Sequence, residues 1–201
     1  MTHLLNALHA NHQLLKQHIQ PGNTVIDATM GNGHDTLFLA QLVGQSGVVH
    51  AFDIQESAII ATQSKLESAN AHLQCQLHHI GHECIDNILS PNEMIHAATF
   101  NLGYLPRADK NITTLPHTTL KALVSVLNRL VQHGIVTLVV YDGHDNGKVE
   151  KETLINFLTI LNQQQFTVMT YAALNQQNNP PMLIMIQKRD ANMPPIAYAT
   201  H

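Results

Sequence analysis

Short apolar runs rich in β-branched residues alternate along this chain with longer segments patterned at the helical period, and that alternation restricts the fold more than any other feature. Residues 3–19 read as a helix ended by Pro21-Gly22, and TVIDA (24–28) as a buried strand. A helix over 34–43 closes at Gly44, GVVHAFD (47–53) is a second strand, and 56–69 a long helix. HLQCQLHHI (72–80) reads as a third strand, a short helix around 82–89 stops at Ser90-Pro91, and HAATFN (96–101) is a fourth strand. Residues 102–115 carry loop chemistry. The stretch 117–132 is amphipathic, with Leu120, Leu123, Val124, Leu127 and Leu130 on one face. GIVTLVVYD (134–142) is nearly all apolar, as a strand covered on both faces should be, and a helix follows over 147–163. QFTVMTYAAL (165–174) and PMLIMIQK (181–188) are the last two strands.

Strand alternating with helix implies parallel pairing through right-handed crossovers, hence an open α/β sheet. The last two strands are joined by an Asn/Gln/Pro loop with no helix, which implies an antiparallel pair at one edge. An open, seven-stranded, mostly parallel sheet with an antiparallel last strand and helices on both faces is the Rossmann-like layout of class I methyltransferases. A pure dinucleotide-binding fold would have six parallel strands. No internal repeat or second hydrophobic block interrupts the 201 residues, so one domain is expected over 1–201, with an N-terminal helix in 1–20 and a tail at 189–201.

The net charge of −4 does not mark a nucleic-acid binder. Its distribution is uneven: residues 1–100 hold two lysines and eight acids, residues 101–201 eight basic residues and six acids. The second half can therefore accept a small anion or an RNA loop without demanding one. No apolar run approaches the ~20 residues of a membrane span, and the N-terminus has no signal-peptide layout, so a cytoplasmic location is expected. Cys75 and Cys84 form no CxxC pair and read as buried free thiols. Nothing in the sequence bears on oligomeric state; monomer and homodimer both stay open.

DATMGNGHDT (27–36) follows the first strand and opens a helix. Gly31 and Gly33 permit a tight turn and close approach of backbone to a ligand, Thr29 and Asn32 offer polar contacts, and Asp35 and Thr36 begin the helix. Asp53 ends the second strand, where a carboxylate can accept both hydroxyls of a ribose, with Ile54 and Gln55 beside it. These features serve a nicotinamide dinucleotide and S-adenosylmethionine alike. Three others favour S-adenosylmethionine. Thr36 stands where a pyrophosphate fingerprint needs Gly or Ala. Asp27, just before the glycines, suits an ammonium and a sulfonium. No Lys or Arg lies between positions 17 and 64 to hold phosphates. At the end of the third strand Gly81, His82 and Glu83 are placed to meet the adenine edge or the ribose, and Ile54 to pack on the adenine face.

Gly-His-acid occurs three times, at 33–35, 81–83 and 143–145. His and carboxylates are metal ligands. In a sheet ordered 3-2-1-4-5, however, the third and fifth strands lie roughly 19 Å apart at ~4.8 Å per step, so no joint metal site is expected.

FNLGYLP (100–106) follows the fourth strand, beside the first, where ligand crevices of such sheets open. N-methyltransferases acting on amino groups of bases often carry Asn-Pro-Pro-Tyr at this place. The Asn oxygen and a backbone carbonyl accept from the nitrogen, and the aromatic stacks on a flat target. Here Asn101 and Tyr104 keep the two ends, and Leu102-Gly103 replace the prolines. Asp142, His144 and Tyr104 are the candidate proton acceptors. Asn179-Pro180-Pro181 lacks the aromatic and reads as a rigid hairpin loop at the pocket rim.

DATMGNGHDTLFLA, AFDIQ, FNLGYLP, VVYDGH and NNPP, in this order, resemble the bacterial family labelled rRNA methylases, now associated with methylating 5-aminomethyl-2-thiouridine in tRNA. The resemblance runs from about residue 3 to residue 188. It implies S-adenosylmethionine as methyl donor and the wobble uridine of a tRNA anticodon as acceptor. By motif position it implies cofactor contacts from Asn32, Asp35, Asp53, Gln55 and His82, with Asn101 and Tyr104 at the acceptor. Arg107, Lys110, Lys121, Arg129, Lys148 and Lys151 follow the edges of the fourth and fifth strands and could meet anticodon-stem phosphates. The alternatives are an rRNA or small-molecule amine as acceptor, and a nicotinamide-dependent oxidoreductase.

Overall fold

The structure, a computed structural model, describes residues 4–103, 113–143 and 145–197. Its helices are α1 (Ala7–His18), α2 (His34–Val43), α3 (Glu56–Ser68), α4 (Ile85–Ile88), α5 (Pro116–Arg129) and α6 (Asp145–Thr159). Its strands are β1 (Thr24–Asp27), β2 (Val48–Asp53), β3 (Cys75–His79), β4 (Ile95–Leu102), β5 (Leu130–Val140), β6 (Phe166–Tyr171) and β7 (Met182–Lys188). All seven strands form one sheet in the order β3-β2-β1-β4-β5-β7-β6. The first five pair in parallel, and β7 runs antiparallel between β5 and β6. The reversed strand expected from the helix-free connection is therefore inserted inside the edge strand, and β6 becomes the outer one.

Side-chain alternation divides the core in two. On one face Ile26, Phe52, Phe100, Val136, Leu138 and Ile186 pack with Leu123 and Leu127 of α5 and Leu154 of α6. On the other, Val25, Val49, Ala97 and Ile135 pack with Leu15 of α1, Leu39 and Val43 of α2 and Leu66 of α3. Neighbours in sequence such as Val25 and Ile26 thus serve opposite layers, which explains why these strands read as continuous apolar runs.

Helices α1 and α5 are among those shorter than the periodicity predicts, for local reasons. α1 begins only at Ala7, because the Asn6 side chain accepts from His9 N–H at 2.9 Å and caps it. α5 starts with Pro116 at its first position and stops at Arg129, where Lys188 Nζ donates to the carbonyls of Leu127 (3.1 Å) and Asn128 (3.4 Å). Leu130, counted on the helix face by its spacing, instead opens β5 opposite Ile95, ahead of a register shift. Cys75 and Cys84 are free and half-buried, and burial pushes the Cys75 thiol up to about 12. Among the described residues no helix is long and apolar enough to cross a membrane.

Because β1, β2, β4 and β5 are parallel, Asp27, Asp53, Leu102 and Val140 end at the same edge of the sheet. The strand order reverses between β1 and β4, so the crevice of an open α/β sheet lies there.

Candidate functional site

A cavity of about 780 Å³ occupies that crevice. The sequence-predicted residues Thr29, Gly31, Asn32, Asp35, Asp53, Ile54, Gln55, Gly81, His82, Glu83, Asn101 and Asn179 all line it. Three carboxylates and no Lys or Arg stand among the described lining residues, a setting that favours a cationic ligand over a pyrophosphate.

The loop after β1 is held from behind. Asp27 is fully buried and accepts from Thr36 Oγ1 at 2.7 Å and from Thr29 N–H at 3.2 Å. Burial and then the nearby charge of Asp35 push its carboxyl up to about 7. Asp27 and Thr36 do not reach the cavity, so the expectation that they touch a ligand is corrected: they brace the loop. Gly33 is corrected in the same way. Its φ is +72°, and a Cβ there would lie 2.6 Å from Thr62 Oγ1, so this glycine lets α2 pack against α3. In front of the loop, Asp53 accepts from Gly31 N–H and Gln55 N–H, both at 2.9 Å, which fixes its carboxylate on the cavity wall.

His82 lines the cavity edge-on to Phe100. Its Nδ1 is 3.0 Å from the Ala28 carbonyl, which only accepts, so Nδ1 carries the proton. Burial holds its pKa below the ordinary value, and Nε2 is left as a buried acceptor with no partner. Ile54, 58% exposed, offers an apolar surface to the same cavity.

Asn101 closes β4 on the other side of the loop. Its N–H donates to Thr29 Oγ1 at 2.7 Å, and its Nδ2 donates to Asp35 Oδ2 at 2.5 Å. Asn101 Oδ1 is buried and unpartnered. Burial works to raise the Asp35 carboxyl, but the hydrogen bonds from His12 and Asn101 and the charges of His12 and His34 bring it below the usual range. After Asn101, the Gly103 carbonyl accepts from Thr114 N–H at 3.1 Å and the Leu102 carbonyl from Tyr141 N–H at 3.4 Å. Both carbonyls that could replace those of a Pro-Pro pair are thus already engaged once. Gly103 N–H in turn donates to Thr114 Oγ1 at 3.0 Å, and Thr114 Oγ1 donates to Glu150 Oε2 at 2.6 Å.

Asp142 is not on the cavity. It pairs with Lys151 at 2.6 Å, which corrects its expected part as a free proton acceptor. Tyr104, Arg107, Lys110 and His144 lie outside the described residues. Of the other proposed phosphate contacts, Arg129 is fixed by Asp86 Oδ1 at 2.8 Å and the Ser90 carbonyl at 2.8 Å, a bracing role. Lys148 meets Asp145 only in an exposed pair at 3.0 Å, the kind worth little and readily exchanged.

Sequence reasoning missed Leu8, Thr113, Thr114, Leu115, Thr118 and Tyr141, which also line the cavity. Tyr141 is the notable omission, since it sits within VVYDGH just before the chosen Asp142. Burial, with the Asp35 charge, raises its hydroxyl above the ordinary value, so it is present as the phenol.

The family described as "Putative rRNA methylase" matches residues 49–187. A "tRNA (mnm(5)s(2)U34)-methyltransferase, chloroplastic" of Arabidopsis thaliana is 37% identical over 187 residues, 89% of this chain and 68% of that one. Two solved structures are similar throughout. A "putative rRNA-methylase" from Clostridium thermocellum has a TM-score of 0.91 at 42% identity, over 93% of this chain and 100% of that one. A "putative methyltransferase" from Streptococcus mutans, in complex with SAH, has a TM-score of 0.84 at 44% identity, over 92% and 99%.

Proposed function

The chain belongs to this rRNA methylase family, and from that premise we propose that it methylates the exocyclic amine of 5-aminomethyl-(2-thio)uridine at the wobble position of tRNA. It is an S-adenosylmethionine-dependent methyltransferase. The observation that carries the finer reading is Asn101 Oδ1, a buried acceptor without a partner in a residue lining the same cavity as Asp53 and His82. Leaving such an atom unpaired costs about 1–3 kcal/mol, a cost that an N–H from an incoming amine removes. The relative named for mnm5s2U34 in tRNA supplies the class of acceptor.

The residues present fit the cofactor. Asp53 would hold the ribose hydroxyls, His82 Nε2 would accept from a ligand N–H or O–H, Ile54 would pack on the adenine, and Asp35 with Asn32 would hold the amino-acid end. When bound, S-adenosylmethionine supplies an electrophilic methyl on a sulfonium. The chain's work is to orient the acceptor nitrogen and to keep water out. An alkyl amine with a reference pKa near ~10.4 has to lose its proton before it can attack. Asn101 Oδ1 accepts from a neutral amine and leaves the nitrogen lone pair free. Asp142 is tied to Lys151, so the proton leaves by another group, for which His144 and Tyr104 remain the proposed candidates. Tyr104 would stack on the base, and Arg107 and Lys110 would meet the anticodon backbone, with Asn179 at the cavity rim. We further propose that the chain forms a single cytoplasmic domain.

Mass spectrometry of tRNA nucleosides from a deletion strain tests the proposal. Accumulation of 5-aminomethyl-2-thiouridine, reversed by the wild-type gene, is expected; an unchanged nucleoside profile would refute it.

A further inference from the structure

We propose that His12, on the N-terminal helix, is a positioning residue for methyl transfer: acting through Asp35, it fixes the Asn101 amide so that the oxygen is left for the acceptor amine. This rests on the reading that Asn101 receives the amine. His12 Nε2 lies 2.7 Å from Asp35 Oδ1, and Asp35 Oδ2 lies 2.5 Å from Asn101 Nδ2. An ionised carboxylate only accepts, so each neighbour has to present a proton to it. His12 therefore donates from Nε2, and Asn101 has to turn its NH2 toward Asp35. The amide has one other polar atom, Oδ1, and that atom is the buried acceptor without a partner. If the Asp35 carboxylate were displaced, the amide could turn over and offer donors where the amine needs an acceptor.

Each member of the chain is anchored. The His12 ring stacks on Phe38 with centroids 4.3 Å apart and planes 18° apart, which sets the direction of Nε2. Asn101 is pinned at its backbone by Thr29 Oγ1. Asp35 would otherwise be discouraged by burial from carrying the charge on which the arrangement depends, and His12 is the leading group that keeps it ionised. His12 is not among the residues lining the cavity, while Leu8, one turn earlier on α1, is. Its influence therefore passes through Asp35 and not through contact with a ligand. Helix α1 packs on β5 and β7 and so ties this support to the far side of the sheet.

The test combines kinetics and spectroscopy on the full chain. His12→Phe keeps a ring against Phe38 and deletes the donor. With S-adenosylmethionine and tRNA carrying 5-aminomethyl-2-thiouridine, kcat is expected to fall by about tenfold or more, as small misplacements of a reacting group do. SAH affinity by calorimetry should stay within about threefold, a change of about 0.7 kcal/mol or less. His12→Gln, whose Nε2 can reach the same carboxylate, should restore most of the rate. In an Asn101→Ala background His12→Phe should cost nothing further in kcat at saturating cofactor, because its route to the acceptor amine is gone. The second readout needs no acceptor. The Asn101 side-chain amide, identified by its disappearance from 15N–1H spectra of Asn101→Ala, should show one hydrogen-bonded proton that moves in His12→Phe and returns in His12→Gln. An Asn101 signal unmoved by His12→Phe overturns the proposal, as does a loss of kcat equally large with and without Asn101. If His12→Phe does not fold, His12→Leu is read in the same way. A wild-type enzyme inactive on this tRNA would overturn the substrate reading, and the amide signal would still decide the role of His12.

Discussion

Asp53 at the end of β2 and Asn101 at the end of β4 stand on one cavity, but their hydrogen-bonding is completed to different degrees. Both oxygens of Asp53 are fixed by N–H groups of its own surroundings, Gly31 and Gln55. A carboxylate oxygen has lone pairs to spare, so Asp53 is rigid before any ligand comes and can still accept from one. The Asn101 side chain is fixed only at its donor end, and its acceptor is left buried and unpaired. A preorganised wall suits the part of the reaction that is the same in every turnover. An uncompensated acceptor, Asn101 Oδ1 here as His82 Nε2 on the cofactor side, suits a ligand that brings its own donor, and unsatisfied groups of this kind are rare enough in native structures to call for a functional reason.

The sharpest way to break this comparison is Asn101→Ala. If the orphan oxygen serves the acceptor alone, methyl transfer should fall by about 100-fold or more, the scale for losing one oriented polar group at a reacting centre. SAH affinity should hardly change. A parallel loss of SAH binding would mean that Asn101 belongs to the cofactor wall and that the two sides are not distinct. Gly33→Ala probes the braced side through sterics. With φ at +72° and a Cβ 2.6 Å from Thr62 Oγ1, the added methyl should destabilise the fold by about 2–3 kcal/mol, read by urea unfolding. Asp53→Ala should weaken SAH by about 2 kcal/mol, the worth of hydrogen bonds to a charged group, or roughly 30-fold in Kd. Its kcat at saturating cofactor should fall far less than that of Asn101→Ala, the reverse of the Asn101 pattern.

The same contrast marks what could be read from the sequence. The succession of strands and helices along the chain, the reversed β7 and the helix over 34–43 follow from periodicity, Gly and Pro, which are local signals, whereas the place of β7 between β5 and β6 does not. The residues of DATMGNGHDT and AFDIQ were legible because a turn after a strand announces itself. Their division of labour was not. Asp27 and Asp35 are both acids beside glycines, and only packing makes one a buried brace and the other a cavity group. His12 was invisible for a related reason: on the helical pattern it is one more polar residue of α1, and its partner Asp35 lies 23 positions away. Tyr141 was hidden by a neighbour, since an acid at a strand end attracts attention that the aromatic before it deserved. Asp142 carried no sign of Lys151, nine residues on and inside α6.

Asp27→Asn should have the smallest effect on methyl transfer, and it tests whether the braced side is as self-contained as its geometry implies. Asp27 is fully buried, and its carboxyl is pushed up to about 7 from 3.8, by burial first and by Asp35 second. Between those values the folded chain keeps a proton that the unfolded chain gives up. The folded state then binds more protons, so this contribution is fully present below pH 3.8 and is lost as pH rises through about 7. For wild type without ligand, the Asp27 contribution should therefore decline by about 2–3 kcal/mol between pH 5 and pH 8. Asparagine keeps the shape and can still meet Thr29 N–H and Thr36 Oγ1, but it does not titrate. The difference in unfolding free energy between the two proteins should thus move toward the variant as pH rises. A difference that stays flat would mean that Asp27 is ionised throughout, and the loop would then need a cation, supplied from the cavity side, to hold its shape.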